Sequence, residues 1–273
     1  VLTCPPYAGT DLSDFYARLP FSLTGAQRKV IGEILSDFSA GRPMNRLVQG
    51  DVGSGKTMVA AAAIVCAARN GKQAALMAPT EILAEQHYRG LSPLLESLGV
   101  TCSLLTGGMP AKTRRAVLAG LQSGETHLVI GTHALISADV EYAGLGLVVA
   151  DEQHRFGVNQ RAALSAKGER PHLLVMSATP IPRTLALMIY GDLDVSVISE
   201  LPPGRQKIDT FAVTSAYPQR IYNFLRKEIA AGRQAYVICS MVEENDAIPD
   251  DRKAAAEYAG MLQTQIFPDL RVD

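Results

Sequence analysis

Apolar positions along this chain follow two periods. Around residues 26–38, Val30, Ile31, Ile34, Leu35 and Phe38 recur at helical spacing, Thr24 stands where an N-cap belongs, and Gly41-Arg42-Pro43 closes the segment. From residue 46 onward, short continuous apolar runs alternate with helical stretches. The runs predict strands at 46–49, 73–77, 101–105, 126–130, 145–150 and 172–176. The stretches between them predict helices at 58–68, 81–98, 110–122 (opened by Pro110) and around 160–166. Runs that are apolar throughout, such as Leu147-Val148-Val149-Ala150 and Leu173-Leu174-Val175-Met176, belong in a parallel sheet covered on both faces. The expected fold is α/β, a doubly wound parallel sheet over 21–200, preceded by a connector at 1–20 with weak periodicity and a Pro5-Pro6 pair.

Leu201-Pro202-Pro203-Gly204-Arg205 predicts a linker over 201–206. Beyond it, apolar segments at 207–213 and 234–239 with helices at 219–231 and about 252–263 predict the incomplete start of a second α/β domain over 207–273. That segment holds about half the elements of a complete domain. Its last residues, Leu270-Arg271-Val272-Asp273, have a strand-like pattern, and the chain opens on Val1 rather than Met. Together these suggest a piece of a longer polypeptide.

Composition changes this picture little. The 273 residues are 47% hydrophobic and 19% charged with a formal net charge of −1, so nucleic-acid binding would have to come from a local patch. Lys112-Thr113-Arg114-Arg115 and Arg205-Gln206-Lys207 are such clusters, and each fits a solvated surface as well. The four cysteines form no C-x-x-C pair, which argues against zinc and for buried free thiols in a reducing cytosol. No apolar stretch reaches the length of about 18 residues that suggests a membrane span, and no signal-peptide pattern is visible.

The chemistry centres on Gly50-Asp51-Val52-Gly53-Ser54-Gly55-Lys56-Thr57, which meets the G-x-x-x-x-G-K-[ST] phosphate-loop pattern between a predicted strand and a predicted helix. The glycines let backbone N–H groups converge on an anion, Lys56 reaches the β- and γ-phosphates, and the Thr57 hydroxyl suits Mg²⁺. The expected ligand is a nucleoside triphosphate with Mg²⁺. Val148-Val149-Ala150-Asp151-Glu152 supplies an acidic pair after an apolar strand, with Asp151 suited to Mg²⁺ and Glu152 to polarising the attacking water.

Asp151-Glu152-Gln153-His154-Arg155-Phe156-Gly157, Ala78-Pro79-Thr80-Glu81, Gly131-Thr132-His133 and Ser177-Ala178-Thr179-Pro180-Ile181-Pro182-Arg183-Thr184 together resemble the motif series of superfamily 2 helicases. Over roughly residues 19–245 their wording resembles the RecG family, bacterial ATP-dependent DNA helicases that remodel stalled forks and Holliday junctions. Transcription-repair coupling translocases share the Arg-Phe-Gly extension but typically carry a second Glu where this chain has Gln153. The resemblance implies a RecA-like motor domain in which Gln27 reads the adenine edge. It further implies DNA-backbone contacts from Thr80, Thr132 and His133, and coupling of hydrolysis to movement through Gln153, His154, Ser177 and Thr179. Arg183 fits either phosphate binding or helix capping. The spacing around His154 does not support a metal site.

Family members also carry a wedge domain, unrecognisable before residue 19, and arginines from the second motor domain, expected beyond residue 273. An arginine finger is worth about 10³–10⁵ in turnover in related NTPases. By that analogy this chain binds ATP, hydrolyses it poorly and unwinds nothing alone. A coupling-type translocase and a nucleotide-dependent binding module without motor activity remain the alternative readings. A metabolic kinase would leave the helicase motifs unexplained.

Overall fold

The computed structural model describes residues 4–8, 10–151, 163–179, 193–200, 208–213, 218–239 and 255–272. Contacts divide the chain into two compact units, Val1–Arg205 and Gln206–Asp273.

The first unit is built on a seven-stranded parallel sheet. Its strands are β1 (Asn45–Gly50), β2 (Gln73–Met77), β3 (Cys102–Leu105), β4 (Leu128–Gly131), β5 (Leu145–Ala150), β6 (His172–Ser177) and β7 (Asp194–Ile198), in the order β3-β4-β2-β5-β6-β1-β7. The strands β2, β4 and β5 are buried at every position, the condition for a parallel sheet covered on both sides. Among the described residues they are accompanied by the helices α1 (Ser13–Arg18), α2 (Gly25–Ser39), α3 (Lys56–Arg69), α4 (Glu81–Glu96) and α5 (Ala111–Ser123). Helix α3 packs against α2, α4 and the sheet, and every residue from Val59 to Ala67 is at most 1% exposed. Its run of alanines suits that position, because a helix apolar all round has no face to give to water.

Two elements depart from the sequence expectation. The predicted connector at 1–20 holds α1 and part of the core: Leu12 and Phe15 are buried, and Arg69 of α3 donates to Asp14 at 2.6 Å. Within it Tyr7 donates to Gly146 O at 3.1 Å and packs on Phe38 and His172. Tertiary packing thus organises a segment whose local pattern is weak. The edge strand β7, which the sequence did not reveal, pairs with β1 from Arg46↔Asp194 to Gly50↔Ile198.

Arg46 fastens this edge from inside. Its Nε lies 2.6 Å from Asp37 Oδ2 and its Nη1 donates to Ser196 Oγ at 2.8 Å, while Glu33 of α2 accepts from both Arg46 and Ser196. Cys66 and Cys102 are buried free thiols, pushed up to about 11 and about 12 by burial. No helix among the described residues is long and apolar enough to cross a membrane.

The second unit has helix α6 (Pro218–Ala230) and helix α7 (Ala255–Met261), which widens into a π-helical turn at Leu262–Ile266. Tyr222, Leu262 and Phe267 form its small core, and Arg226 pairs with Asp269 at 2.8 Å beside the Phe267 ring. The strands expected within 207–213 and 234–239 do not form: residues 208–213 and 233–239 are irregular, with Tyr236 87% and Ile238 95% exposed. Residues 270–272 are likewise no strand. A strand exists through its ladder, and among the described residues no neighbour offers one.

Candidate nucleotide and nucleic-acid site

Parallel strands all end on the same side, and in open α/β sheets ligands gather there. The phosphate loop follows β1, Thr80 follows β2, Gly107 and Gly108 follow β3, Thr132 and His133 follow β4, Asp151 follows β5, and Ser177 closes β6. Apart from Gln27 on α2, the site residues singled out from the sequence that are described therefore stand along the carboxyl edge of the sheet. Because β6 lies between β1 and β5, the Ser177-Ala178-Thr179 segment sits between the phosphate loop and Asp151.

The loop from Gly50 to Gly55 turns through Gly53 at φ 78° and Gly55 at φ 84°, left-handed values that favour glycine. Gly55 is also the N-cap of α3, and a Cβ there would stand 2.2 Å from Gln27 Nε2. A Cβ on Gly50 would stand 2.6 Å from Ser54 Oγ. The exposed stretch Asp51-Val52-Gly53 is held by Ser54 N–H donating to Asp51 O at 3.0 Å and Val52 N–H donating to Asp51 Oδ1 at 2.8 Å.

Lys56 is buried, and its Nζ donates to Gly50 O at 2.6 Å and Asp51 O at 3.0 Å. Thr57 follows it in the first turn of α3, where helix geometry leaves N–H groups without intrahelical partners. Ser54 Oγ is buried with no partner among the described residues. An ammonium resting on loop carbonyls, an orphaned hydroxyl and a helix N-terminus of 14 residues make a donor set that fits a polyphosphate.

Gln27 sits under this loop rather than on the surface. It is 2% exposed, its Nε2 donates to Ser54 O at 2.8 Å, and its Oε1 accepts from Thr24 N–H at 2.8 Å. Thr24 Oγ1 accepts in return from Gln27 N–H, completing a capping box. The amide expected at an adenine edge is here engaged with the phosphate loop.

Asp151 is held twice. Its N–H donates to Met77 O at 3.0 Å, and its Oδ2 lies 2.6 Å from Nε2 of His87 on α4. His87 belongs to no motif that would single it out; its place on the second turn of a helix leaving β2 aims it at the tip of the adjacent β5, and that adjacency is a tertiary fact. Ser177 and Thr179 face each other, hydroxyl to hydroxyl at 3.0 Å, and Gln49 Nε2 donates to Thr179 O at 3.3 Å. Glu152, Gln153, His154 and Arg183 lie outside the described residues.

The residues proposed from sequence for DNA divide. Thr80 is exposed and caps α4 by accepting from Leu83 N–H at 3.3 Å, and His133 is exposed in a 3-10 turn, His133–Ile136. Thr132, by contrast, is 3% exposed with its hydroxyl buried. Glu81, beside Thr80, accepts from Gly107 N–H at 2.9 Å and Gly108 N–H at 3.3 Å, joining the loops after β2 and β3. In the basic cluster of α5, Arg114 forms a bidentate pair with Asp139 at 2.8–2.9 Å, which ties its charge to the protein.

The profile of DEAD/DEAH box helicases matches residues 24–188, from the Thr24–Gln27 cap through the phosphate loop and the acidic pair. The chain belongs to this family. Helicase membership makes ATP the implied nucleotide. Within the helicases the chain is similar to RecG: it is 53% identical over 264 residues to the ATP-dependent DNA helicase RecG of Synechocystis sp., covering 97% of this chain and 32% of the relative. It is 51% identical over 256 residues to that of Bacillus subtilis, covering 94% and 37%. A solved structure of RecG bound to a three-way DNA junction superposes with a TM-score of 0.77 at 42% identity, over 93% of this chain and 33% of that one. The helicase MrfA, at 17% identity and a TM-score of 0.65, shares the fold. The chain thus spans about a third of the length of the first two relatives.

Proposed function

We propose that this chain supplies the ATP-binding motor domain, and the beginning of a second, to a RecG-type DNA helicase that remodels branched DNA in recombination and repair. The observation that carries this reading is the shared sheet edge: the phosphate loop, Asp151 and the exposed Thr80–Glu81–Gly107 surface follow strands of one sheet. The similarity to RecG supports DNA as the substrate class of that edge.

In this reading Lys56 leaves the carbonyls of Gly50 and Asp51 for the β- and γ-phosphates, which offer more negative charge than two amide oxygens. Thr57 and Asp151 hold Mg²⁺, which when bound neutralises charge on the phosphate oxygens. Glu152 orients the attacking water, as the acidic-pair pattern implies. Gln27 keeps the loop in place through Ser54, and reading adenine requires it to exchange one of its two amide bonds. Thr80 and His133 contact the DNA backbone without reading sequence, as suits a protein that tracks along a strand, and Thr132 contributes only through its main chain. Ser177 and Thr179 change partners as hydrolysis proceeds, together with Gln153 and His154, which follow the acidic pair in sequence. Arg183 is assigned a DNA contact. The partner is branched DNA in the cytoplasm, with the wedge and the rest of the second motor domain supplied by the parent chain.

The test is equilibrium binding of a fluorescent ATP analogue with Mg²⁺ to this chain and to Lys56→Ala, followed by steady-state hydrolysis with and without a three-way DNA junction. Binding that the substitution abolishes, with little turnover, supports the reading. Binding unaffected by Lys56→Ala overturns the assignment of the loop, and brisk junction-stimulated turnover overturns the dependence on arginines from elsewhere.

A further inference from the structure

His87 is the seventh residue of α4, and its Nε2 stands 2.6 Å from Asp151 Oδ2 with both side chains largely buried, at 12% and 13% exposure. A carboxylate oxygen can only accept, so the hydrogen belongs to Nε2. One such bond removes the freedom of the carboxylate to rotate about its Cβ–Cγ axis. The main chain of Asp151 is held independently, through its N–H to Met77 O at 3.0 Å. Strand β2 therefore holds the backbone of Asp151, and the helix that leaves β2 holds its side chain.

We infer that His87 is a positioning residue for Asp151, keeping its carboxylate in the orientation that receives Mg²⁺. The inference rests on the assignment of Asp151 as a metal-holding carboxylate in the proposed function. Partners that orient a metal-binding group from behind change metal affinity by about 10–100-fold when removed, so His87 is expected to matter although it touches neither nucleotide nor metal.

The position of His87 on α4 gives the contact a second meaning. The same helix begins at Thr80 and Glu81, and Glu81 grips Gly107 and Gly108 on the exposed surface. One rigid element of 16 residues thus carries the strand-facing loops on its first turn and the partner of Asp151 on its second. A displacement of α4 that repositions the first repositions the second.

The experiment measures binding of the fluorescent ATP analogue across a Mg²⁺ titration and in EDTA, for the unaltered chain, Lys56→Ala, His87→Ala, His87→Met and His87→Gln, with thermal midpoints taken without nucleotide. Met fills the space without a donor, and Gln restores a donor of similar reach. The expected result is that His87→Ala and His87→Met raise the Mg²⁺ concentration for half-maximal enhancement about tenfold or more, with affinity in EDTA unchanged and His87→Gln recovering most of the loss. If either donor-free variant keeps the Mg²⁺ midpoint within about twofold, or if Gln shifts it as far as Met does, His87 does not position the carboxylate and the inference is overturned. Should His87→Ala not fold, the Met and Gln pair decides by the same criterion. A chain whose nucleotide binding is indifferent to Lys56→Ala overturns the phosphate-site reading, a failure recognisable before any His87 variant is compared.

Discussion

Leu145–Ala150 and the segment 234–239 are sequences of the same kind, each a short apolar run after a polar turn, and they have different fates. The first is β5, buried at all six positions between β2 and β6. The second is irregular, with Tyr236, Val237 and Ile238 exposed. Nothing in the local pattern separates them. A parallel strand is made by the neighbours that accept its hydrogen bonds, so apolar continuity states a capacity and the ladder realises it.

The same contrast between the two units should govern what their charged contacts contribute. Arg46, with only 10% of its side chain exposed, faces Asp37 and Glu33 in the first unit. Arg46→Met should destabilise that unit by about 3 kcal/mol, the lower end for a broken buried pair, because it strands the carboxylates of Asp37 and Glu33, which are 15% and 33% exposed, and urea unfolding followed by a probe in the first unit measures it. A loss under about 1 kcal/mol would mean that water reaches the pair and that burial does not set the difference between the units.

His172 sharpens the comparison through pH. It accepts from Met44 N–H through Nδ1 at 2.9 Å, packs against Tyr7 and Phe38, and is brought by burial from 6.5 down to about 4. The folded state therefore resists the proton that the unfolded chain takes up first. Its contribution is complete above about pH 6.5 and is lost as pH falls toward 4, on the order of 3 kcal/mol in all. His172→Asn should flatten that part of the stability profile of the first unit.

Thr24→Ala should cost about 1 kcal/mol by opening the capping box of α2, read as a modest fall in the thermal midpoint. It should also loosen Gln27 and hence slightly weaken nucleotide binding. At the bottom of the scale, Asp269→Asn removes the exposed partner of Arg226 in the second unit, and no resolvable change in its unfolding midpoint is expected.

Much of the first unit was legible because its elements are locally consistent. The apolar runs gave six of its seven strands within a few residues, and Thr24 capped the helix that the periodicity announced. The seventh, Asp194-Val195-Ser196-Val197-Ile198, is an edge strand with alternating exposure; its five mixed residues look like any loop until β1 is placed beside them. The short helix α1 was hidden for a related reason, since what anchors it is Arg69, 55 residues away from Asp14. At the site, the turn of the Gly50–Gly55 loop between β1 and α3 was legible because its spacing is local. His87 was not, because its partner lies 64 residues on, and neither was the burial of Thr132, because a motif states which residues recur and not which way they face.

The burial of α3 on every side has a mechanical consequence. A helix with neighbours all round cannot slide or tilt without opening the densely packed interior, so the phosphate loop at its head is part of the chassis and not a lever. In the proposed function, the arrival and departure of a phosphate would then be recorded by side chains able to let go of one partner and take another. Lys56 on the carbonyls of Gly50 and Asp51, and Gln27 between Ser54 and Thr24, would be latches of that kind, seated on a frame that stays still.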